Sequence, residues 1–553
     1  MCRIPHHIAG LLPFLAVASI AACGPAAEKV AEPPAGRTHD DLVSLFREWR
    51  EFQQPALTDG IPDYTAAAMS AQHRELAGFQ ARLMAIDTTG WDIAQKVDHI
   101  IVGAEMNGLD FDHRVLRPWA NNPAFYVTFF PSESDQPARE GPLSRGAVEL
   151  WEYSYPLSPD AIAEIGQGLR MIPGLLDQAR TNLVGTGRDL WTWGARSIRA
   201  QSANLQDFMA RLEDGNAVLK TDAERAREAT DRFADWLESR SESKTGPSGI
   251  GRDNYDWYLQ HVQLVPYSWQ EEVALMEREL ARASSFLALE EQRNAGLPVQ
   301  QPLSNEQEHD RRFNAAVTEY MTFLREHHIL TVRDFMDPAL RARIGRFNAG
   351  PREFFREVDY RDPEVMRTHG YHWFDKGRMA TDPHDSPIRR GALLYNIFNT
   401  RTEGHATGWE EMMLQAGMFD ARPRSRELIY VLLAERAARA LGDLRMHSNE
   451  YTLEQAAEFA AANTPRGWLS LAGNLVRGEQ HLYLQQPGYG TSYVVGKFEI
   501  EKLMAARKRQ LGDQFDLEAF MEAFDAAGLV PASLLRWELT GELPDDVAIM
   551  LAH

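Results

Sequence analysis

The stretch at residues 268–291, SWQEEVALMERELARASSFLALEE, predicts one long helix. Its apolar residues recur every three or four positions, which places them on one face of a helix. The windows Pro159 to Ala179 and Thr221 to Ser239 predict further helices. Runs of alternating β-branched residues are scarce, so a sheet has little to be built from. The sequence therefore predicts a mainly α, large multi-helix fold with few or no long strands.

The composition is that of a soluble globular protein. The chain has 553 residues, of which 44% are hydrophobic and 25% are charged, and its formal net charge is -21. We find no cluster of Lys and Arg with interleaved aromatics of the kind that neutralises phosphates. We therefore expect no nucleic-acid partner, and the composition leaves the oligomeric state open.

Both cysteines lie near the N-terminus, at Cys2 and Cys23. The apolar run from Ile8 to Ala22 is too short to span a membrane and predicts a signal peptide at residues 1–22. Ile20-Ala-Ala-Cys23 resembles the bacterial lipobox, which implies that Cys23 is lipidated, and Gly24 resembles the signal for sorting to the outer membrane of a Gram-negative cell. We expect an exported protein held in the periplasm by an N-terminal lipid anchor, the alternative being an uncleaved apolar N-terminus.

Four regions follow the signal-peptide prediction along the chain. Residues 23–39 are rich in Pro and Ala and are predicted to be a tether. Asp40 or Asp41 is expected to cap the first helix of an N-terminal helical lobe at 40–245. The Ser- and Gly-rich stretch 239–251 suggests the boundary, and 246–553 is predicted to be a C-terminal helical lobe.

Common catalytic signatures are missing from the sequence, which has no HExxH, GxSxG or GxxxxGK[ST] motif. Three segments of the C-terminal half nevertheless stand out. They are EGHATGWEEMMLQAG at 403–417, Asp443 to His447 followed by TLEQA at 452–456, and PGYGTSYVVG at 487–496. In order and spacing they resemble the bacterial DUF885 family (domain of unknown function eight-eight-five), over about residues 250–540. Members of that family look like helical metallopeptidases with a cleft and are often lipoproteins.

One departure from the family pattern bears on the metal. The family carries an HExxPGHH helix before the segment that starts here at Glu403, and its two His and that Glu bind the metal. The corresponding window, His369 to Asp385, lacks both the HE pair and the PGHH turn. The resemblance implies either no metal or one divalent ion such as zinc at His369, His372 and Glu403. Gly370 weakens a helix through the two histidines, and a structural role for the pair is the alternative.

The matched motifs imply acid–base residues. Glu403 corresponds to the family carboxylate, and His447 and Tyr493 match positions that look like a proton donor and a transition-state hydrogen-bond donor. His405 replaces the family Trp and could flank the same pocket. For Glu403 the alternative is a structural ion pair, with an arginine as its partner. The candidate arginines are Arg401, Arg436 and Arg439.

Aromatic and basic residues in the same region suggest a binding pocket for a small molecule, and an aromatic substrate is one candidate. The candidate substrate-binding residues are Tyr371, Trp373, Arg378, Trp409 and Tyr489. Aromatic residues at this density also occur in ordinary cores, and exposed basic loops are common.

Three functions remain open at this point. The first is a periplasmic, lipid-anchored enzyme that hydrolyses or eliminates (as a lyase) a small molecule or short peptide by acid–base chemistry without the usual zinc motif. The second is a zinc-dependent peptidase with a rebuilt site. The third is a catalytically silent lipoprotein that binds a ligand or a partner.

Overall fold

The long helix predicted after Ser268 is present in the computed structural model. It runs over Trp269–Arg293, and Ser268 forms a capping box with Glu271 at its start. The face that repeats at helical spacing is buried and includes Val273, Met276 and Leu287. The structure describes residues 38–138, 143–212 and 216–552. The predicted signal peptide, Cys23 and nearly all of the tether lie outside these residues.

The described residues form α-helices and two very small sheets. The N-terminal helices are α1 His39–Phe52, α2 Ala66–Met84, α3 Ile93–Phe111, α4 Pro118–Asn121, α5 Pro159–Asn182, α6 Arg188–Arg211 and α7 Ala217–Glu238. The central helices are α8 Arg252–Tyr258, α9 Trp269–Arg293, α10 Glu306–Glu326, α11 Met336–Arg341, α12 Phe354–Arg361, α13 Pro363–His369 and α14 Tyr371–Thr381. The C-terminal helices are α15 Asn399–Gln415, α16 Pro423–His447, α17 Leu453–Asn463, α18 Leu475–Gln485, α19 Tyr489–Leu511, α20 Leu517–Ala526, α21 Ala532–Thr540 and α22 Asp545–Ala552.

Each sheet has only two strands of two residues. β1 Leu57–Thr58 pairs antiparallel with β2 Ile61–Pro62, and β3 Phe129–Phe130 pairs parallel with β4 Val148–Glu149. The prediction of a mainly α fold without long strands is confirmed. None of the described helices combines the length and the apolar character that a membrane-crossing helix needs.

The start of α1 differs from the prediction. Thr38, rather than Asp40 or Asp41, is the N-cap, and the side chain of Asp41 accepts a hydrogen bond from the backbone N–H of Thr38. A capping box needs its acidic residue three positions after the cap, so Asp41 supports the helix start from inside the first turn. The buried face is the predicted one, with Leu42, Leu45 and Trp49 among its residues.

Two large groups of buried apolar side chains fill the interior. One draws only on residues between Tyr64 and Leu237. The other combines α1–α3 with helices of the C-terminal half, including α15 and α16. The described residues all belong to one compact unit. The boundary between two lobes at 245/246 stays a prediction.

The contact between α15 and α19 positions the candidate site. Gly404 on α15 faces Gly496 on α19, and a Cβ on Gly404 would lie 2.2 Å from the Cα of Gly496. A Cβ on Gly496 would lie 1.9 Å from the carbonyl oxygen of Thr400. The two backbones therefore touch, which only glycine at both positions allows. This close approach brings Glu403 next to the first turn of α19.

Candidate metal centre

The two histidines singled out in the sequence lie beside one another. His369 ends α13 and His372 is in the first turn of α14, with a break between the helices at Gly370. The ring centroids are 5.0 Å apart and the rings are nearly perpendicular. The pair is thus held at a kink rather than along one continuous helix.

Asp135 joins this pair from the segment that follows β3. One ligand atom of Asp135 and one from each of His369 and His372 all lie within 4.8 Å of one another. Two imidazoles and a carboxylate are a donor set that suits zinc and related divalent ions. The described residues therefore fit a metal, and the third ligand of the group, the carboxylate of Asp135, is supplied from outside the predicted motif.

Glu410 holds the ring of His369 from the other side. Its Oε1 atom is 2.9 Å from Nδ1 of His369, and both of its oxygens accept hydrogen bonds of 2.7 Å from Arg436. A carboxylate on one ring nitrogen fixes the orientation of a histidine and leaves the other nitrogen for a metal. Glu410 is thus placed to orient His369.

Glu403 is buried next to the histidines. Its Oε1 accepts hydrogen bonds from the Tyr489 hydroxyl at 2.6 Å and from Nε2 of Gln136 at 2.8 Å. Its Oε2 is 3.3 Å from Nε2 of His372. Gln136 is fixed in turn because its Oε1 accepts a 2.8 Å hydrogen bond from Thr402.

Burial and charge act in opposite directions on this pair. Burial disfavours both charged forms, but attraction to Glu403 raises the pKa of His372 to about 9. Attraction to His372 and the hydrogen bond from Tyr489 similarly overcome burial and lower the pKa of Glu403 to about 2. Without a metal, the two side chains form a buried imidazolium–carboxylate pair.

The arginines considered as partners of Glu403 are each paired with another carboxylate. Arg401 contacts Asp375, Arg436 contacts Glu410, and the remaining arginine, Arg439, contacts Glu435 and Glu479. Among the described residues these arginines contact carboxylates other than Glu403, so the alternative of a structural ion pair between Glu403 and one of them gains no support.

A cavity of about 250 Å³ opens beside Glu403. Among its described lining residues are Asp135, His369, Glu403, Arg436, Arg439, Glu479, Tyr483, Tyr489 and Tyr493. The hydroxyl of Tyr483 is buried and has no hydrogen-bond partner among the described residues. The ring of Tyr493 lies under the guanidinium carbons of Arg436 and Arg439, at 5.9 and 5.5 Å. The cavity thus combines carboxylates, an imidazole and three phenols.

His447 lies behind this cavity and is not among its described lining residues. It is fully buried at the end of α16, where its Nε2 is 3.0 Å from the carbonyl oxygen of Tyr483. Burial lowers the pKa of His447 to about 4, so the ring is neutral near neutral pH. In this position His447 supports the backbone of a cavity residue, and its predicted part in catalysis stays a prediction.

His405 faces the interior on the other side of α15. Its ring packs against the rings of Tyr371, Trp409 and Phe524, with centroid distances of 4.0, 5.3 and 4.6 Å. Neither ring nitrogen has a hydrogen-bond partner among the described residues. Burial holds the pKa of His405 well below its usual range, so a neutral ring fills this aromatic cluster.

Most of the predicted substrate-binding residues lie apart from the cavity. Tyr371 and Trp409 are buried in the core, where they bond to Asp525 and Tyr320 respectively. Trp373 stacks under Arg343 at 3.8 Å, and Arg378 is 3.4 Å from Asp525. Tyr489 does line the cavity.

Two residues of the site, Asp135 and Gln136, were missed in the sequence. They lie in an irregular segment that has neither a helical repeat nor one of the recognised motifs. Their one sequence signal is the acidic and polar composition of ESDQ at 133–136, which is common in exposed loops. Only the fold brings them to α14 and α15.

Residues 372–539 match the family model described as "Bacterial protein of unknown function (DUF885)". The matched residues, called the DUF885 region below, make up less than a third of the chain. The region contains His372, Glu403 and Tyr489, whereas Asp135 and His369 precede it. The resemblance inferred from the three motifs is confirmed, and no curated protein matches the sequence.

Solved structures share the fold over nearly the whole chain. One is described as "a putative lipoprotein of unknown function from Shewanella oneidensis", with a TM-score of 0.65 and 16% identity, covering 91% of this chain and 98% of that one. Another is "the putative lipoprotein from Colwellia psychrerythraea", with a TM-score of 0.61 and 15% identity, covering 91% and 99%. At these identities the likeness concerns the fold, which therefore extends well beyond the DUF885 region.

Proposed function

We propose that the chain is a metal-dependent hydrolase that cleaves an amide or peptide bond in a small substrate. The observation that carries this proposal is the convergence of Asp135, His369 and His372, whose ligand atoms lie within 4.8 Å of one another beside Glu403. The three side chains would hold one divalent ion such as zinc. The cavity of about 250 Å³ fits a small molecule or a short peptide.

The residues around the cluster would each have a separate role in catalysis. A bound divalent ion supplies Lewis-acid chemistry, which polarises a carbonyl and makes water more acidic. Glu403 would accept a proton from that water. It would do so through Oε2, because Oε1 already accepts hydrogen bonds from Tyr489 and Gln136. Tyr483 and Tyr493 would donate hydrogen bonds to the oxygen on which negative charge develops. Glu410 would keep His369 oriented.

A second candidate is acid–base hydrolysis or elimination without a metal. It is favoured by the 2.6 Å hydrogen bond between Tyr489 and Glu403, which pairs a phenol with a buried carboxylate in the same cavity. In this case His372 would serve as the cationic partner of Glu403 and not as a ligand. A silent ligand-binding lipoprotein would keep the cavity and show neither metal nor turnover.

Elemental analysis of mature protein purified without a metal-affinity step separates these functions. The metal-dependent hydrolase should hold about one divalent ion per chain, directly or after incubation with Zn²⁺. His372→Gln and Asp135→Asn should lose that ion, while the exposed His328→Gln is the matched control and should keep it. Failure of the parent chain to bind any divalent ion would overturn the proposal.

Activity is measured on a panel of unblocked dipeptides by release of free amine. Glu403→Gln should reduce turnover by at least about a hundredfold, as expected for loss of a group that transfers a proton. Turnover by a metal-free chain that still needs Glu403 and Tyr489 would favour the second candidate instead. An intact, folded chain without turnover on a broader panel of amides and esters would favour the silent one.

We also propose that the chain is exported and anchored in the periplasm by a lipid on Cys23, at the outer membrane. The support is the lipobox-like sequence before Cys23 and the description of two proteins of the same fold as lipoproteins. Cys23→Ser should release the protein from the membrane fraction and abolish labelling by a fatty-acid probe. Cys2→Ser is the matched control and should change neither, because Cys2 lies within the segment that is removed.

A further inference from the structure

A second cavity, of about 490 Å³, lies away from the metal cluster. Its described walls include residues that follow α1, the turn Asp112–Leu116 after α3, and residues that precede α15 and α19. Gln485 and Gln486 belong to this wall, and the same turn leads directly into Tyr489. The cavity is therefore separate from the candidate active site but shares one turn with it.

One side of this cavity is aromatic. The aromatic lining residues are Tyr64, Trp119, Phe125, Tyr258 and Tyr395. The rings of Tyr64 and Phe125 meet edge to face, with centroids 4.9 Å apart. The Tyr64 hydroxyl accepts a hydrogen bond of 2.8 Å from the backbone N–H of Arg145, so this wall is fixed. Such a surface fits a flat or bulky apolar group.

The cavity is lined by two acidic side chains, Asp112 and Glu149, and by two arginines, Arg50 and Arg145. Asp112 has no cation within ion-pair distance among the described residues, and burial alone raises its pKa to about 8. A cationic ligand group is what would let this carboxyl ionise. Nη1 of Arg145 donates a 2.9 Å hydrogen bond to the carbonyl of Pro55, which leaves further guanidinium N–H groups for a ligand. Arg50, the other lining arginine, lies 3.7 Å from Glu105.

A buried amide adds a second polar contact. Asn396 lines the cavity and is only 3% exposed, and its Oδ1 has no hydrogen-bond partner among the described residues. Its Nδ2 donates a 3.3 Å hydrogen bond to Gln486, which fixes the amide against the shared turn. A buried acceptor without a donor is costly unless a ligand or water satisfies it.

We propose that this cavity binds a free amino acid with a large aromatic side chain, or the end of a short peptide that carries one. The ring packs against the aromatic wall, the ammonium group is received by Asp112 and Asn396, and the carboxylate is received by Arg145. This combination uses the carboxyl, the guanidinium and the apolar wall together. It does not depend on the metal cluster, so it can hold whether or not the chain is a hydrolase.

Isothermal titration of the mature chain with four small probes tests this site. L-Phenylalanine should bind. Phenethylamine, which lacks the carboxylate, and 3-phenylpropionate, which lacks the ammonium, should each bind at least about tenfold more weakly, as expected when one charge-assisted hydrogen bond is lost. Glycine, which lacks the ring, should show no binding. Absence of L-phenylalanine binding, or equal affinity for all four probes, would overturn the proposal.

Two substitutions assign the charged groups. Asp112→Asn should weaken the binding of L-phenylalanine and phenethylamine but leave that of 3-phenylpropionate unchanged. Arg145→Gln should weaken the binding of L-phenylalanine and 3-phenylpropionate but leave that of phenethylamine unchanged. The exposed Asp207→Asn is the control and should change nothing. If Asp112→Asn fails to fold, Gln54→Trp decides, because Gln54 is an exposed lining residue and the larger side chain should block entry. Unchanged L-phenylalanine affinity in the folded Asp112→Asn or Gln54→Trp variant would contradict the proposed site.

Discussion

The hydroxyl of Tyr489 donates a hydrogen bond of 2.6 Å to Oε1 of Glu403. Tyr489 is the first residue of α19, and Glu403 lies within α15. The two residues belong to two of the motifs recognised in the sequence, 86 positions apart. Their contact depends on the glycine pair Gly404 and Gly496, which lets the two helices touch. The motif glycines and the motif acid–base residues are therefore parts of one arrangement.

Tyr489→Phe should lower the free energy of unfolding by about 2 kcal/mol, because it removes a buried hydrogen bond to a charged group. Urea denaturation followed by circular dichroism measures the change. Tyr451→Phe is the control: Tyr451 also bonds to a charged group, Arg445, but it is only half-buried and should lose less. Equal losses of unfolding free energy in both variants would show that the hydrogen bond to Glu403 stabilises the chain no more than the one to Arg445.

Gly404→Ala should destabilise the chain by about 3 kcal/mol, since the added methyl would meet the backbone of α19 and neither helix can yield locally. Gly408→Ala, one turn later in the same helix, is the matched control. Its methyl would lie 3.5 Å from the side chain of Lys497, an ordinary contact, and alanine favours the helix by about 1 kcal/mol. Thermal unfolding should therefore show a lower midpoint than the parent chain for Gly404→Ala and a higher one for Gly408→Ala. An unchanged midpoint in Gly404→Ala would contradict the close approach of the two helices.

Local pattern predicts the helices better than it predicts the site. The periodic stretch 268–291 became α9 with a difference of one residue at the start and two at the end, because a buried face and a capping box are both local features. The same holds for the window that became α5, which starts at Pro159 as predicted. The first helix shows the limit, since Asp41 was recognised but Thr38 was not.

The site depends on contacts that no local pattern records. Gln136 and Glu403 are 267 positions apart, and Asp135 reaches the two histidines from the same irregular segment. Tertiary packing alone brings this segment to α14. The sequence predicts only that His405 could flank the pocket of Glu403. Positions two residues apart on a helix point to different faces, and His405 lies in the aromatic core.

His405→Phe should raise the free energy of unfolding by about 1 kcal/mol. Both ring nitrogens are buried without partners among the described residues, and phenylalanine fills the same aromatic cluster without that cost. His447→Phe is the contrasting variant and should destabilise, because His447 is equally buried but bonds to the carbonyl of Tyr483. Turnover that survives in His405→Phe would separate this residue from the catalytic group, whereas its complete loss in a folded chain would restore the catalytic assignment.

The stability of the chain should also depend on the ionisation of Glu105. This side chain is fully buried on α3, and burial outweighs the attraction to Arg50 and two backbone N–H groups, so its pKa rises to about 7 from an ordinary value of 4.5. Below about pH 4.5 the carboxyl is protonated in both the folded and the unfolded chain. As the pH rises towards 7, the unfolded chain releases this proton while the folded chain keeps it, so the contribution of Glu105 to stability is lost over that interval.

Glu105→Gln should therefore flatten the pH dependence of stability between about pH 5 and about pH 8, because the amide does not titrate but still offers an oxygen to the N–H groups of Leu394 and Tyr395. The comparison of the parent chain with the variant isolates Glu105 from other buried acids such as Asp112, which titrate in both proteins. Urea midpoints at the two pH values measure it, and Glu75→Gln, on the exposed face of α2, should keep the parent slope. If the parent chain and Glu105→Gln lose stability equally as the pH rises, Glu105 is not protonated in the folded state and its burial does not control its charge.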